Sequence, residues 1–152
     1  MTPRQVESAL SRAQLICATR GARLTPVRRR VLELILLCDQ PTGAYALLAE
    51  LQRGRGKLGP PTVYRALDFL LAHKLIHKIE TSSAFIACGD IEHPHESQFM
   101  ICEDCGATEE IRDDGIVESL RRLGEERGFA VERQVIEARG LCPVCRSGHR
   151  QA

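Results

Sequence analysis

Apolar side chains recur every three or four positions along the first half of the chain, then give way to short β-branched runs. Val6, Leu10, Ala13 and Cys17 share one face of a first helix, and Val27, Val31, Leu34 and Ile35 share one face of a second. Each segment opens on Thr followed by Pro, at Thr2-Pro3 and Thr25-Pro26. That pairing sets an N-cap hydroxyl beside a proline whose missing N–H costs nothing in a first turn. Gly21 stops the first helix. A third helix is expected from about Ala44 to Gln52, because the glycine-rich basic stretch RGRGKLG at 53–59 cannot continue it. In GPPTVYRALDFLLAHKL the prolines leave Thr62 in the first turn of a fourth helix. Its stripe of Val63, Leu67, Leu70 and Leu71 faces the core, so Tyr64, Arg65 and Asp68 face outward. LIHKIE and AFIAC, separated by TSS, read as a β-hairpin packed behind the helices. Cys17 and Cys38 read as small buried apolar residues.

Beyond the hairpin the periodicity changes. SQFMICE and ATEEI read as strands, Ile116, Val117, Leu120 and Leu123 mark a helix, and FAVERQVIEARGL reads as a long strand. The pattern predicts an α+β chain. Helices followed by a hairpin make an N-terminal winged helix-turn-helix, and a strand–strand–helix–strand unit makes a small C-terminal α/β domain.

Charge sharpens that division. Residues 1–83 hold 13 Lys and Arg against 6 Asp and Glu, whereas residues 84–152 hold 8 against 14. A basic domain gains from releasing the counterions of a phosphate backbone, and an acidic one does not, so double-stranded DNA is the expected partner of the first. Arg65 near a helix start suits a guanine edge or a phosphate, and Tyr64 offers a flat ring and a hydroxyl to the sugar-phosphate path. With 43% apolar residues the chain can build real cores, yet Trp is absent and aromatics are only 4%, so Leu, Ile and Val must fill them. The longest apolar run, VLELILLC at 31–38, is too short to cross a bilayer and contains Glu33, and the first ten residues lack a signal-peptide core. A cytoplasmic location without membrane contact is expected.

In that compartment seven cysteines point to metal chemistry more than to disulfides. Cys102 and Cys105 form one C-x-x-C pair, and Cys142 and Cys145 a second. The 36 residues between the pairs exceed the roughly 15–20 of an ordinary zinc ribbon, so folding must bring the pairs together. Four thiolates suit a closed tetrahedral zinc shell with no open position for catalysis. A thioredoxin-like dithiol would need only one pair in a strand-to-helix setting. A zinc deaminase is an alternative of another class, since HPHE and CPVC loosely echo its signature. It fails on spacing: His93 and Glu96 are separated by two residues where one is required, and Pro143 follows Cys142 where it should precede it. The chain therefore reads as a non-enzyme.

RLTPVRRRVLELI, PPTVYRALDFLLAHKLIHKIE, FMICEDCGATEEI and GFAVERQVIEARGLCPVC together resemble the ferric uptake regulator family, over about residues 5–146. The resemblance implies a homodimeric, metal-dependent transcriptional repressor without a small-molecule substrate. Residues 1–88 would be the winged-helix DNA-binding domain, 89–95 a hinge, and 96–152 the dimerisation and metal-binding domain. It further implies binding to AT-rich palindromic operators, with Tyr45, Thr62, Tyr64 and Arg65 at the DNA. Two zinc ions per chain are implied, one structural at Cys102, Cys105, Cys142 and Cys145, and one regulatory at His77, Cys88, His95 and Glu110. One thiolate, two imidazoles and one carboxylate form a suitable tetrahedral zinc set, and the soft Cys88 ligand favours zinc over iron or manganese. Zinc-uptake genes are thus the expected targets. His93, two residues from His95, is an alternative ligand, and a peroxide- or iron-sensing repressor of the same family is the alternative function. Iron-type members carry a histidine-rich run before the strand that enters the first cysteine pair. Here HPHESQFMIC ends in Ser97, Gln98 and Phe99 at those places, and FAVERQVIEARG lacks their strand histidine, so no third metal site is expected.

Overall fold

Helix α1, Pro3–Thr19, begins with a full capping box: the Gln5 N–H donates to the Thr2 hydroxyl, and the Thr2 N–H donates to Gln5 Oε1 at 2.7 Å. Its end is a glycine stop, because Gly21 adopts φ +67°, open to glycine without the steric cost that a Cβ would bring. Helix α2, Pro26–Leu37, follows. Thr25 is its N-cap by backbone geometry, but its hydroxyl makes no capping hydrogen bond, so the expected side-chain cap is realised in α1 and not in α2. The structure is a computed structural model that describes residues 1–55, 58–93 and 95–149, and the chain divides into two units, Met1–His93 and Pro94–Ala152.

The first unit continues with a two-residue strand β1, Thr42–Gly43, then α3, Ala44–Arg55, and α4, Pro60–Ala72. Helix α3 runs three residues past the expected end, through Gly54, because a glycine within a packed helix costs only about 1 kcal/mol. Of RGRGKLG, residues 56 and 57 lie outside the described residues. Strands β2, Ile76–Ile79, and β3, Ala84–Ala87, form the expected antiparallel hairpin, and β1 adds to its free edge in the order β1-β3-β2. One hydrophobic cluster draws on all four helices and both hairpin strands, including Leu10, Ile35, Leu47, Leu67, Leu70, Ile76 and Phe85. Cys17 belongs to it, fully buried, and burial pushes its thiol pKa up. Cys38 is exposed, contrary to expectation: it follows the last residue of α2 and points away from that cluster.

The second unit holds β4, Ser97–Cys102, β5, Thr108–Glu110, α5, Asp114–Glu126, β6, Val135–Gly140, and α6, Pro143–His149. Strand β4 lies between the other two, antiparallel to β5 and parallel to β6. The long strand expected from Phe129 is shorter than its β-rich composition suggested and forms only from Val135, where pairing with Ser97 begins. Helix α6 runs through His149, and residues 150–152 lie outside the described residues. Among the described residues of this unit, only Gln98, Phe99, Cys102 and Gln134 are buried. Both glutamines tie α5 to the sheet: Gln98 Nε2 donates to the Asp113 carbonyl at 3.0 Å and Gln134 Nε2 to that of Val117 at 2.9 Å.

Candidate metal centre and nucleic-acid interface

The parallel pairing of β4 with β6 is what joins the two cysteine pairs. Cys102 closes β4 in register with Gly140, the last residue of β6, so the chain that leaves β6 toward Cys142 starts beside Cys102. After Cys102 the backbone folds back through a tight knuckle, with the Gly106 N–H donating to the Cys102 carbonyl at 3.0 Å and the Cys102 N–H to that of Ala107 at 2.8 Å. Gly106 sits at φ +74°, a conformation that glycine alone adopts without strain. The knuckle presents Cys105, and the first turn of α6 presents Cys145.

The four sulfurs lie within 4.8 Å of one another, and Cys105 Sγ is 3.8 Å from Cys142 Sγ. Thiolates about 2.3 Å from a zinc ion occupy the corners of a tetrahedron whose edges are about 3.8 Å, whereas a disulfide would require about 2.05 Å. The spacing is that of a metal shell. Backbone N–H groups of Cys105 and Cys142 point at the Cys102 sulfur, the latter at 3.3 Å, and lower its thiol pKa to about 6. Cys145 is pushed upward instead, first by its hydrogen bond with Asp104 and then by Cys142. One sulfur is therefore held as a thiolate near neutral pH, while a metal must displace the proton of another, which is how metal binding becomes linked to pH.

Two smaller groupings involve the other expected ligands. Within the first unit His77 of β2 and Cys88, one residue past β3, are both buried, and a His77 ring nitrogen lies within 4.8 Å of the Cys88 sulfur. Antiparallel pairing explains this, since His77 faces Ile86 in register and Cys88 follows on the same strand side. Within the second unit His95 Nε2 is 2.6 Å from Glu110 Oε1, and both side chains are largely shielded from solvent. Glu110 of β5 is in register with Phe99 of β4, which lies four residues beyond His95 and so on the same side of the strand direction. His93 is different. It is exposed and engages Asp90 through Nδ1 at 2.9 Å.

On the basic unit, α4 shows its Val63, Leu67 and Leu70 stripe to the core and leaves Tyr64, Arg65 and Asp68 exposed, as its periodicity requires; Leu71 is half-buried. Thr62 lies half-buried in the first turn of the same helix, and Tyr45, at the start of α3, is 76% exposed. So large an exposed aromatic on each of two successive helices is out of place in a surface that serves only solvation. Arg28 was not singled out from the sequence, where it stands in the run Arg28-Arg29-Arg30. It shares a cleft with Thr25, Val27, Thr62, Arg65 and Ala66.

A sequence profile described as the Ferric uptake regulator family matches residues 19–139. The Zinc uptake regulation protein of Escherichia coli (strain K12) is 42% identical over 140 residues, covering 91% of this chain and 82% of its own. Among solved structures, a zinc uptake regulator complexed with zinc and DNA superposes with a TM-score of 0.92 at 40% identity, over 99% of both chains. The crystal structure of holo XcZur gives 0.86 at 38% identity, over 92% of this chain and 98% of its own.

Proposed function

Because the chain belongs to the ferric uptake regulator family, we propose that it is a zinc-responsive transcriptional repressor which, when loaded with zinc, binds operator DNA as a homodimer. The observation that carries this reading is the likeness, over nearly the whole of both chains, to a regulator solved with zinc and DNA. The DNA surface is formed by Tyr45, Thr62, Tyr64 and Arg65. Its exposed tyrosines, together with an Arg65 that has no carboxylate partner among the described residues, suit a duplex better than a protein partner. The four-cysteine shell holds a structural zinc, a reading supported by its tetrahedral edge length. Dimerisation is supported by α5, whose apolar residues Ile116, Leu120 and Leu123 are all exposed in the single chain.

The regulatory ion takes His77 and Cys88 from the first unit and His95 and Glu110 from the second. The pairing of His77 with Cys88 and of His95 with Glu110 supports that set, and the engagement of His93 with Asp90 at the surface favours His95 over it. Residues 89–95 act as the hinge. An ion drawn from both sides of a hinge raises the fraction of dimers that hold both α4 helices at the half-site spacing, and by linkage DNA tightens zinc binding in return. A labelled duplex selected from a random pool by the zinc-loaded protein tests this. After chelation its binding should fall and should return with zinc but not with iron or manganese at the same free concentration. Equal restoration by iron would overturn the zinc assignment.

A further inference from the structure

Three arginines stand together at the start of α2, and the fold treats them differently. Arg29 donates Nη2 to both carboxylate oxygens of Glu7 at 2.8 Å, and Arg30 lies 2.9 Å from Glu33. Their charges are compensated. Among the described residues Arg28 has no carboxylate partner, and neither does Arg65. The half-buried Arg28 side chain is nevertheless fixed: Nη1 donates to the Arg23 carbonyl at 2.8 Å, and the guanidinium carbon sits 3.6 Å from the centroid of the Phe69 ring. Phe69 is one turn beyond Arg65 on α4, so this stacking holds Arg28 alongside the exposed edge of the helix that carries Tyr64 and Arg65.

Arg28 and Arg65 line one cleft of about 230 Å³ with Thr25 and Thr62, and no carboxylate residue lines it. The Thr25 hydroxyl takes no part in capping its own helix. Two guanidinium groups with no carboxylate partner among the described residues, beside two threonines in a cleft that no carboxylate lines, match a tetrahedral oxyanion, and a guanidinium seated over an aromatic ring keeps several N–H donors for it. We propose that Arg28 is a phosphate-gripping residue of the DNA interface, seating one phosphodiester of the duplex in this cleft. That contact sets the depth and register at which α4 meets the bases. The proposal rests on the DNA-binding reading and adds a residue to it. Because the contact is to backbone, it lends affinity and position without sequence preference.

The test is fluorescence anisotropy on the full-length, zinc-loaded protein, with the selected duplex and a scrambled one over a series of salt concentrations. Arg28→Gln keeps side-chain length and removes the charge; Arg28→Lys keeps the charge; Arg29→Gln is the control in the same run. Loss of each phosphate contact flattens the slope of log affinity against log salt by about 0.9, and so by about twice that for a dimer. Arg28→Gln should show this and should weaken both duplexes by the same factor, whereas Arg28→Lys and Arg29→Gln should keep the wild-type slope. Thermal melting of Arg28→Gln within a few degrees of wild type excludes misfolding as the cause, and Thr25→Val provides a second, uncharged perturbation expected to weaken both duplexes equally. An unchanged slope for Arg28→Gln, or a loss confined to the selected duplex, overturns the proposal. If the wild type itself enriches no duplex, the DNA-binding reading fails first. Inorganic phosphate that competes only with wild type and Arg28→Lys would support the cleft as the seat.

Discussion

In Met1–His93, leucines, valines and isoleucines from four helices and a hairpin close over one another, with Cys17, Val31 and Leu70 wholly buried. In Pro94–Ala152 the buried described residues are one phenylalanine, one cysteine and two glutamines. The same chain thus uses two ways to hold a fold. The first unit is held by apolar burial, worth about 25 cal/mol for each Å² removed from water. The second is poorly filled by comparison: its α5 buries no residue, and its glutamines tie that helix down by hydrogen bonds. Small units of this kind are commonly stapled by a metal or a partner subunit, and the clustered sulfurs and the exposed α5 stripe suit the one and the other.

Removing a sulfur should separate the two units most sharply. Cys102→Ser is expected to unfold the second unit and abolish dimer mass, because structural zinc binding is worth about 10–16 kcal/mol of apparent folding free energy. Hydrogen exchange read by segment should show protection lost across 97–140 and kept across 3–72. Normal protection of β4 together with full zinc content would show that the sulfurs do not hold this unit.

The converse experiment truncates the core. Leu70→Ala should destabilise the first unit by about 2–5 kcal/mol, since a fully buried leucine is replaced by a cavity, while zinc in the four-cysteine shell and dimer mass stay at wild-type levels. Parallel loss of that zinc would mean that the two units fold as one, and denaturant melts followed by zinc release would reveal it.

Cys88→Ser addresses what joins the two. It should leave a folded dimer with about one zinc per chain and reduce zinc-dependent operator binding by about 1–3 kcal/mol, the usual size of an allosteric coupling. Metal analysis and anisotropy on one sample decide this. A variant with two zinc ions and a full zinc response would make Cys88 only a buried strand cysteine.

Smaller effects separate the capped helix from the uncapped one. Thr2→Ala breaks the capping box of α1 and should cost about 1 kcal/mol, whereas Thr25→Ala removes no capping bond and should cost a few tenths at most. Thermal melts of the two variants side by side provide the measurement. Equal losses would mean that the Thr25 hydroxyl caps α2 in solution.

Much of this was written in local chemistry. The helical stripe of Val63, Leu67 and Leu70 dictated that Tyr64 and Arg65 face outward, and the glycine at position 21 dictated where α1 stops, because periodicity and φ preferences act within one or two turns of chain. The C-x-x-C spacing likewise singled out Cys102, Cys105, Cys142 and Cys145, whose sulfurs the fold gathers within 4.8 Å of one another. The sequence alone did not reveal that β6 runs parallel to β4 in the register that sets Gly140 beside Cys102, since pairing direction depends on partners far along the chain. Nor could it distinguish Arg28 from Arg29, or Cys38 from Cys17, whereas the pairing of Arg30 with Glu33 lies within α2 at i,i+3. Those differences depend on which carboxylate, ring or leucine from another element arrives beside each side chain, and only the tertiary fold, by bringing Glu7 to Arg29 and Phe69 to Arg28, decides that.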